Sequence, residues 1–351
     1  MVFTMAGKSI TIAILSYHLA QHPRAIKIVK TIAKHGYKVK LWSARRIKKR
    51  IKILSSFLEY LVAIVDVMFL KADVYWVENI PDIVYLPLVL FRKKYVYDRR
   101  SPWALEAAMM YRLPKPLIKI MSIIEILMAK KSSYFVAVSK ALAKEFEKIV
   151  KKSIVIPNYP EKSFVKNISP DVIRKELNVP INRKVFVFIG KLSRVEGVDL
   201  LIKVVENIKD LDAELWIIGD GPERKVVKEL CSMYPKTVKW FGWIPHNEIP
   251  KYIAASDIGL APRHKTQFNI YYSYEGIHKI AEYFAYGKPV IASGISPSPY
   301  YVVVDPSKLG EAVAKTVKGE LKLPKPPKLF WENYSENLVL KVIEEVVKPE
   351  T

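Results

Sequence analysis

The sequence has only one cysteine, Cys231, among its 351 residues. A lone thiol excludes an internal disulfide, and it cannot by itself build a zinc site or a CxxC redox pair. Glutamine is scarce as well: Gln21 and Gln267 stand in a chain rich in lysine and glutamate, a bias of thermophilic proteins. The first residues lack a long apolar run with a small-residue cleavage site, so they predict no signal peptide. These features favour a cytoplasmic protein of thermophilic origin.

Acidic residues are scarce in the first half of the chain. The whole sequence has 57 Lys and Arg against 34 Asp and Glu, a net charge of +23. Residues 1–165 hold 30 basic and 11 acidic residues, a net of +19, which leaves +4 for residues 166–351. This asymmetry predicts an anionic partner for the first half, namely a membrane surface, a lipid-phosphate acceptor or nucleic acid.

Short apolar runs rich in β-branched and aromatic residues alternate with helical patterns, which predicts parallel α/β units. The predicted strands are 9–15, 37–43, 72–78, 93–98, 132–139 and 152–158, then 184–190, 213–220, 237–242, 257–262, 288–293 and 300–305. Turn residues near 160–183 mark a seam between the two sets. We therefore expect two Rossmann-like domains facing a central cleft, at 1–165 and 166–325, followed by a linker and a helix at 326–351.

Residues 53–70 form an apolar run long enough to raise the question of a transmembrane helix. Glu59 and Asp66 interrupt the run, and each would be costly at the middle of a bilayer, which favours a crossover helix packed on the sheet. The run also follows the basic stretch SARRIKKRIK, a combination typical of interfacial membrane segments. Both interpretations stay open.

Two glycine-containing turns follow the first two strands of the second half. In FIGKLSRVEGVDLL, backbone N–H groups and a helix N-terminus could hold a diphosphate, with Lys191 and Arg194 adding positive charge. An ordinary βα turn with two solvated cations explains the same residues. In IIGDGPERKVV, Gly219 and Gly221 permit tight turns, but the segment is not the GxGxxG dinucleotide fingerprint.

The segment SYEGIHKIAEYFAYGKPVIAS is the most informative. Glu275 and Glu282 flank the start of a predicted helix, whose free amides would point towards an anion. Glu282 could accept hydrogen bonds from both hydroxyls of a ribose, and Glu275 could hold a sugar hydroxyl. Complementation of the helix dipole is the simpler explanation for a glutamate in this place. The predicted anion-facing amides are those of Ile277, His278, Lys279 and Ile280.

In combination, these segments resemble the retaining glycosyltransferases of family four. The resemblance is carried by GKLSRVEGVDLLI, IIGDGPE, VKWFGWIPHNEIPKYIAASDIGLAP and KIAEYFAYGKPVIAS, in the order and spacing of that family. The first half matches more loosely, through HPRAIKIVKTIAKHGYKV and FVAVSKALAKEF. The resemblance implies the GT-B fold, in which the final helix, beginning near Trp331, crosses back to the N-terminal domain. It also implies transfer of a sugar from a nucleoside diphosphate donor with retention of configuration.

The resemblance further implies roles for single residues. Glu282 matches the glutamate that binds the ribose, and Glu275 matches the one that contacts the donor sugar. Lys191 occupies the position of a phosphate-binding arginine. Phe241 and Gly242 lie where the family contacts the nucleobase, and Gly219 belongs to the same donor-binding set.

The sequence departs from the family pattern in three places. Glu275 and Glu282 are separated by six residues where seven are usual. Glu196 stands where the family has a lysine, so Arg194 or Lys279 would have to replace that cation. In the first half, SYHLAQHPR takes the place of a glycine-rich donor loop, and YDRRSPW takes the place of an acceptor-side histidine.

Polar residues at the predicted carboxyl ends of the first strands are candidates for the acceptor side, because open α/β sheets bind ligands at that edge. Surface solvation explains any one of them alone. These candidates are His18, His22, Arg24, Asp98, Arg99 and Arg100. His35, His246 and His264 lack partners at ligand spacing and are interpreted as structural, so no metal or other cofactor is predicted.

The sequence thus predicts a hexosyl-type glycosyltransferase that uses a nucleotide sugar and a hydroxyl acceptor, either a glycan or a lipid-linked molecule. Its basic half would let it bind peripherally to the cytoplasmic face of a membrane. The alternative is a non-catalytic protein that binds nucleic acid or another polyanion through that half. The alternative explains the charge but not the motifs of the second half.

Overall fold

The computed structural model describes residues 4–5, 8–17, 23–44, 52–111 and 113–348. The chain divides into two compact units, of which the first is Met1–Asn158 with Trp331–Thr351 and the second is Tyr159–Phe330. The divisions predicted from the sequence were 165/166 and 325/326. Residues 159–165 therefore belong to the second unit, and residues 326–330 belong to it as well.

The first unit is built on a six-stranded parallel sheet, preceded by a short antiparallel ribbon. The ribbon consists of β1 (Thr4–Met5) and β2 (Lys8–Ser9), and the sheet of β3 (Thr11–Leu15), β4 (Lys38–Trp42), β5 (Val74–Glu78), β6 (Tyr95–Arg99), β7 (Tyr134–Ala137) and β8 (Ser153–Val155). The order across the sheet is β4-β3-β5-β6-β7-β8. The helices are α1 (Pro23–Lys34), α2 (Lys52–Phe69), α3 (Leu86–Leu90), α4 (Trp103–Tyr111), α5 (Lys115–Lys131) and α6 (Lys140–Phe146).

The second unit repeats this design. Its strands are β9 (Lys184–Ile189), β10 (Ala213–Ile218), β11 (Val238–Trp240), β12 (Ile258–Ala261), β13 (Val290–Ser293) and β14 (Val302–Val304), in the order β11-β10-β9-β12-β13-β14. Its helices are α7 (Pro170–Glu176), α8 (Leu200–Ile208), α9 (Arg224–Met233), α10 (Ile249–Ala255), α11 (His278–Ala285) and α12 (Leu309–Val317). Each of the twelve predicted strands is present, so the predicted pair of parallel α/β units is confirmed.

Helices cover both faces of the second sheet, which is why its central strands are apolar almost throughout. Along β9, Val185 and Val187 pack in one core with α10 and α11. The alternate residues Phe186 and Phe188 pack in a second core with α8 and α12. This period of two follows from the pleat of a strand, and it holds the carboxyl ends of β9 and its neighbours firmly in place.

The final helix, α13 (Trp331–Val347), belongs to the first unit. The indole Nε1 of Trp331 donates to Thr31 Oγ1 at 2.9 Å, and the hydroxyl of Ser335 donates to the carbonyl of Pro157 at 2.7 Å. Further along the helix, Val339, Val342 and Ile343 are fully buried in the core of that unit. The prediction that the last helix crosses back to the N-terminal domain is confirmed.

The apolar run at 53–70 forms α2, as the crossover interpretation requires. Among the described residues, no helix is long and apolar enough to cross a membrane. Most of the basic stretch before α2, residues 45–51, lies outside the described part of the chain.

Candidate functional site

The order in which strands are added to the second sheet reverses at β9. β10 and β11 lie on one side of β9, whereas β12, β13 and β14 lie on the other. In open α/β sheets the loops leaving the carboxyl ends at such a switch point diverge and leave room for a ligand. The residues that follow β9 and β12, together with the start of α11, are therefore the first place to examine.

A charged cluster occupies this switch point. The two carboxylate oxygens of Glu196 are divided between two cations: Oε1 accepts from Arg263 and Oε2 accepts from Lys279 Nζ at 2.7 Å. The three side chains are only 10 to 19% exposed. Glu196 stands where the family has a lysine. The fold brings Lys279 and Arg263 beside it, so this cluster still has a net positive charge.

The pKa values of this cluster are shifted by burial and by the neighbouring charges. Burial alone would raise the pKa of Glu196, but Lys279 and Arg263 outweigh burial and lower it to about 2. Burial in turn lowers the pKa of Lys279, against the opposing effect of Glu196. The Lys279 ammonium also lies 4.2 Å from the centre of the Phe188 ring, a favourable cation–π distance.

Two glycines allow the loops at this edge to approach each other. Gly197 has φ +68°, and a Cβ there would lie 2.6 Å from the carbonyl oxygen of Pro262, directly after β12. Gly219 has φ +138°, and a Cβ there would lie 1.9 Å from the carbonyl oxygen of Gly190, directly after β9. Any side chain at either position would push the strand ends apart. The structure thus gives Gly219 a packing role, and its donor-binding role stays a prediction.

The start of α11 offers fewer free amides than the sequence predicted. The N–H of Ile277 donates to the carbonyl of Ser273 at 2.8 Å, and the N–H of Ile280 donates to that of Ile277 at 3.1 Å. The prediction of four anion-facing amides is therefore wrong for these two, because the turn before the helix satisfies them internally. The amides of His278 and Lys279 remain, in the described chain, without a protein acceptor.

Glu282 is held one turn into α11, with its side chain 4% exposed. Its Oε1 lies 2.6 Å from His246 Nε2 and 2.9 Å from His278 Nδ1. Burial alone would raise the pKa of Glu282, but His278 and His246 outweigh it and hold the pKa at about 2. The carboxylate is thus ionised and held by two imidazoles at neutral pH, which makes it a strong hydrogen-bond acceptor.

The remaining donor-side candidates lie around the same edge. Lys191 and Arg194 are exposed in the loop after β9, and Glu275 is buried in the turn before α11. The ring of Phe241 packs on Tyr252, with 4.8 Å between ring centres, so part of it belongs to the core. Gly242, at φ +70°, has open space where a side chain would be.

Three of the six acceptor-side candidates pair with other residues of the first unit. Arg24 forms a two-pronged ion pair with Asp98, at 2.8 and 3.0 Å, and both side chains are almost fully buried. Arg99 is equally buried and donates to Glu125 at 2.6 Å and to Glu145 at 2.7 Å. These pairs hold elements of the first unit together, and the assignment of Arg24, Asp98 and Arg99 to the acceptor stays a prediction.

Arg100 also contacts residues of the first unit. The guanidinium of Arg100 lies 3.7 Å from the Glu78 carboxylate and donates to the carbonyl of Asn79 at 3.1 Å, with 15% of its side chain exposed. His18 and His22 lie outside the described residues.

Three residues near the carboxyl ends of the two sheets were not predicted from the sequence as site residues. Arg263 has no motif of its own, and only the fold brings it to Glu196. His246 was interpreted as structural, although the four-residue spacing of His278 and Glu282 was a visible sign of a polar pair on one helix face. Glu78, at the carboxyl end of β5, is fully buried and has its pKa raised by burial, despite the nearby Arg100.

Comparisons with known proteins find a family match within the second unit. Residues 170–315 match the family described as glycosyl transferases group 1. The lipopolysaccharide core biosynthesis glycosyltransferase LpsD of Rhizobium meliloti is 29% identical over 128 residues, 36% of this chain and 34% of that protein. The chain matches less than half the length of each of its curated relatives, 21 to 46%.

Two solved structures are similar over nearly the whole chain. Sucrose-phosphate synthase from Thermosynechococcus elongatus superposes with a TM-score of 0.68 and 15% identity, covering 96% of this chain and 98% of that one. HepE of Anabaena, in complex with UDP-glucose, superposes with a TM-score of 0.63 and 16% identity, covering 96% and 99%. At this identity the likeness shows the fold, which is the GT-B fold that the motifs implied. Residues 170–315, which include the Glu196 cluster and Glu282, are thus the part of the chain that matches the glycosyl transferases group 1 family.

Proposed function

We propose that the protein transfers a sugar from a nucleoside diphosphate donor, bound by the second unit, to a hydroxyl acceptor with retention of configuration. The observation that carries the proposal is the switch-point arrangement: the cations Lys279 and Arg263 lie beside the start of α11, and the ionised Glu282 lies one turn further along. A family match over the same residues and a UDP-glucose complex of a similar fold support it.

The proposed role of the cations follows from the negative charge that the leaving diphosphate gains during transfer. Breaking the glycosidic bond leaves negative charge on the diphosphate, so Lys191, Arg194 and Lys279 with the free helix amides stabilise the transition state more than the ground state. Glu282 accepts hydrogen bonds from the ribose, and Glu275 accepts one from the sugar. In this proposal the leaving group is neutralised by protein cations alone, so the transfer itself requires no metal.

The polyanion-binding alternative accounts only for the basic first half. It gives no reason for a buried carboxylate flanked by cations at the switch point of the other unit. Release of UDP from UDP-sugars distinguishes the two: an enzyme releases UDP slowly by donor hydrolysis without acceptor, and a binding protein does not. Failure to release UDP, GDP or ADP from any of their sugars would contradict the proposal.

Lys191→Ala and Arg194→Ala should lower kcat more than they weaken donor binding, since the leaving group gains charge only as the bond breaks. We expect the double variant to lose about tenfold or more in turnover, the equivalent of roughly 1.4 kcal/mol of transition-state stabilisation. Steady-state kinetics of donor hydrolysis measures both parameters. The matched control is Lys225→Ala with Lys228→Ala, two exposed cations on α9. Unchanged kcat in the double variant would show that Lys279 and Arg263 neutralise the diphosphate without these two residues.

We further propose that the acceptor is lipid-linked and that the first unit meets it at a membrane surface. Helix α5 exposes Leu117, Ile120 and Ile123, each more than 40% exposed, next to the exposed Lys115 and Lys119. On α2, Leu61, Val65, Met68 and Phe69 are also exposed. Apolar side chains mixed with lysines on one unit are typical of surfaces that bind anionic lipids.

A cavity of about 340 Å³ opens beside this surface. It lies among α2, α4 and α5, and its lining includes Tyr60, Trp103, Tyr111, Leu117 and Ile120. Such a lining suits an alkyl or prenyl chain, because each buried methylene contributes about 0.8 kcal/mol. LpsD acts in lipopolysaccharide core biosynthesis, which agrees with a lipid-linked acceptor.

The full-length protein should sediment with anionic vesicles and not with neutral ones, and salt should reduce the bound fraction. Lys115→Glu with Lys119→Glu should weaken vesicle binding about tenfold or more, since each lysine near an anionic surface contributes about 1 kcal/mol. Lys225→Glu with Lys228→Glu on the second unit makes the same change in charge and should have little effect. Equal recovery on both kinds of vesicle, or none on either at low salt, would favour a soluble acceptor.

A further inference from the structure

Glu282 and the two histidines beside it are side chains of the kinds that bind transition-metal ions. His246 lies in the loop before α10, and His278 and Glu282 lie one turn apart on α11. The ligand atoms, two imidazole nitrogens and one carboxylate oxygen, all lie within 4.8 Å of one another. Glu282 Oε1 is at 2.6 Å from one nitrogen and 2.9 Å from the other. A tetrahedral ion with bonds of about 2.0 to 2.2 Å holds its ligand atoms about 3.3 to 3.6 Å apart, so the Glu282 oxygen and the two nitrogens must move apart to admit it.

The chemistry of these ligands favours a transition-metal ion such as Zn²⁺ over Mg²⁺ or Ca²⁺. Two neutral imidazoles and one carboxylate are the donors that Zn²⁺ takes at distances of about 2.0 to 2.2 Å. Mg²⁺ and Ca²⁺ prefer sites made of oxygen atoms, so they should bind here poorly. The His246 side chain is 58% exposed and that of His278 is 27% exposed, which leaves a path for the ion and room for water to complete its coordination.

The ligands are also held in place before any ion arrives. The His246 ring stacks on Phe164 with 5.1 Å between ring centres. Helix α11 fixes the spacing of His278 and Glu282, whose side chains face the same direction because they are four residues apart. A ligand set that needs little ordering loses little conformational entropy on binding.

We propose that His246, His278 and Glu282 bind a single Zn²⁺ ion when the nucleotide is absent. Under the proposed function, Glu282 also accepts the ribose hydroxyls, so the metal and the nucleoside compete for one carboxylate. Zinc is then an inhibitor of donor binding and takes no part in the transfer. Without zinc, the two imidazoles donate hydrogen bonds to Glu282 and orient it for the ribose.

Zinc titration of the EDTA-treated, full-length protein tests the proposal. Calorimetry with zinc chloride should show one ion bound per chain, and magnesium chloride should show none at the same concentrations. His246→Ala and His278→Ala should each weaken zinc binding at least tenfold. His264→Ala is the matched control, because His264 lies in the same unit but pairs with Asp199 instead. Circular dichroism of each variant shows whether it is folded.

Competition with uridine separates this proposal from the proposed function. Uridine has the ribose but no phosphate to chelate zinc, so at saturation it should weaken zinc binding to the wild-type protein at least tenfold. Equal zinc affinity in the wild type and both histidine variants, or no zinc binding at all, would overturn the metal site and leave the donor role of Glu282 intact. Zinc binding that depends on both histidines but is unchanged by saturating uridine, guanosine or adenosine would keep the metal site and contradict the ribose role.

Discussion

Glu282→Ala should weaken the binding of a nucleoside diphosphate by about 10- to 100-fold. The expected loss is roughly 1.5 to 3 kcal/mol, the contribution of hydrogen bonds to a charged group. The carboxylate is well prepared for this role, since it is 4% exposed, ionised at neutral pH and fixed by two imidazoles. Calorimetric titration with UDP, GDP and ADP measures the loss directly.

The choice of control decides how this result is interpreted. Glu229→Ala removes an exposed glutamate from α9 of the same unit and should leave nucleotide affinity unchanged. Glu282→Gln keeps the size of the side chain and one acceptor oxygen, so its affinity should fall between those of the wild type and the alanine variant. A folded Glu282→Ala protein with wild-type nucleotide affinity would remove the ribose role.

Glu196→Gln should lower the stability of the second unit by about 3 kcal/mol. The substitution leaves Lys279 and Arg263 close together without their shared carboxylate, and breaking a buried ion pair from one side costs about 3 to 5 kcal/mol. In a unit of this size, the melting temperature should fall by about 6 to 12 °C, as measured by circular dichroism. Added UDP should restore part of the loss, because a diphosphate supplies negative charge to the two cations.

The same substitution should change how stability depends on pH. The pKa of Glu196 is lowered to about 2 in the folded protein, below its ordinary value of 4.5. Its contribution to the free energy of unfolding is therefore fully present above pH 4.5 and is lost as the pH falls towards 2. Wild type and variant should thus differ most at neutral pH and converge in acid.

Glu206→Gln, on the exposed face of α8, is the matched control and should behave as the wild type at each pH. A constant difference between Glu196→Gln and the wild type from pH 7 to pH 2 would mean that the ionised carboxylate contributes nothing specific.

The elements of the fold could be predicted because their signals are local. A buried parallel strand such as β5, Val74–Glu78, is apolar nearly throughout and is bounded by turn residues, so no other part of the chain is needed to recognise it. The boundary of the second unit was predicted less well, because residues 159–165 carry no periodicity. Only their packing assigns them: Tyr159 and Phe164 lie in the core of that unit.

Side-chain partners could not be predicted, because they depend on contacts between distant segments. Arg24 and Asp98 are 74 residues apart, and Glu196 and Arg263 are 67 residues apart. In sequence, each looks like a charged residue at a strand end, which is equally consistent with ligand binding and with an internal ion pair. His278 and Glu282, four residues apart on one helix, were the exception that spacing alone could have revealed.

Because α13 packs on the first unit, the order in which the chain is synthesised affects when that unit can fold completely. The first unit is interrupted: its final helix follows the whole of the second unit along the chain. Trp331, Val339 and Ile343 fill the core beside α1, so a nascent chain that ends before Trp331 lacks part of that core. All residues of the second unit are therefore synthesised before the first unit is complete, and the first unit can finish its core only after α13 has been made.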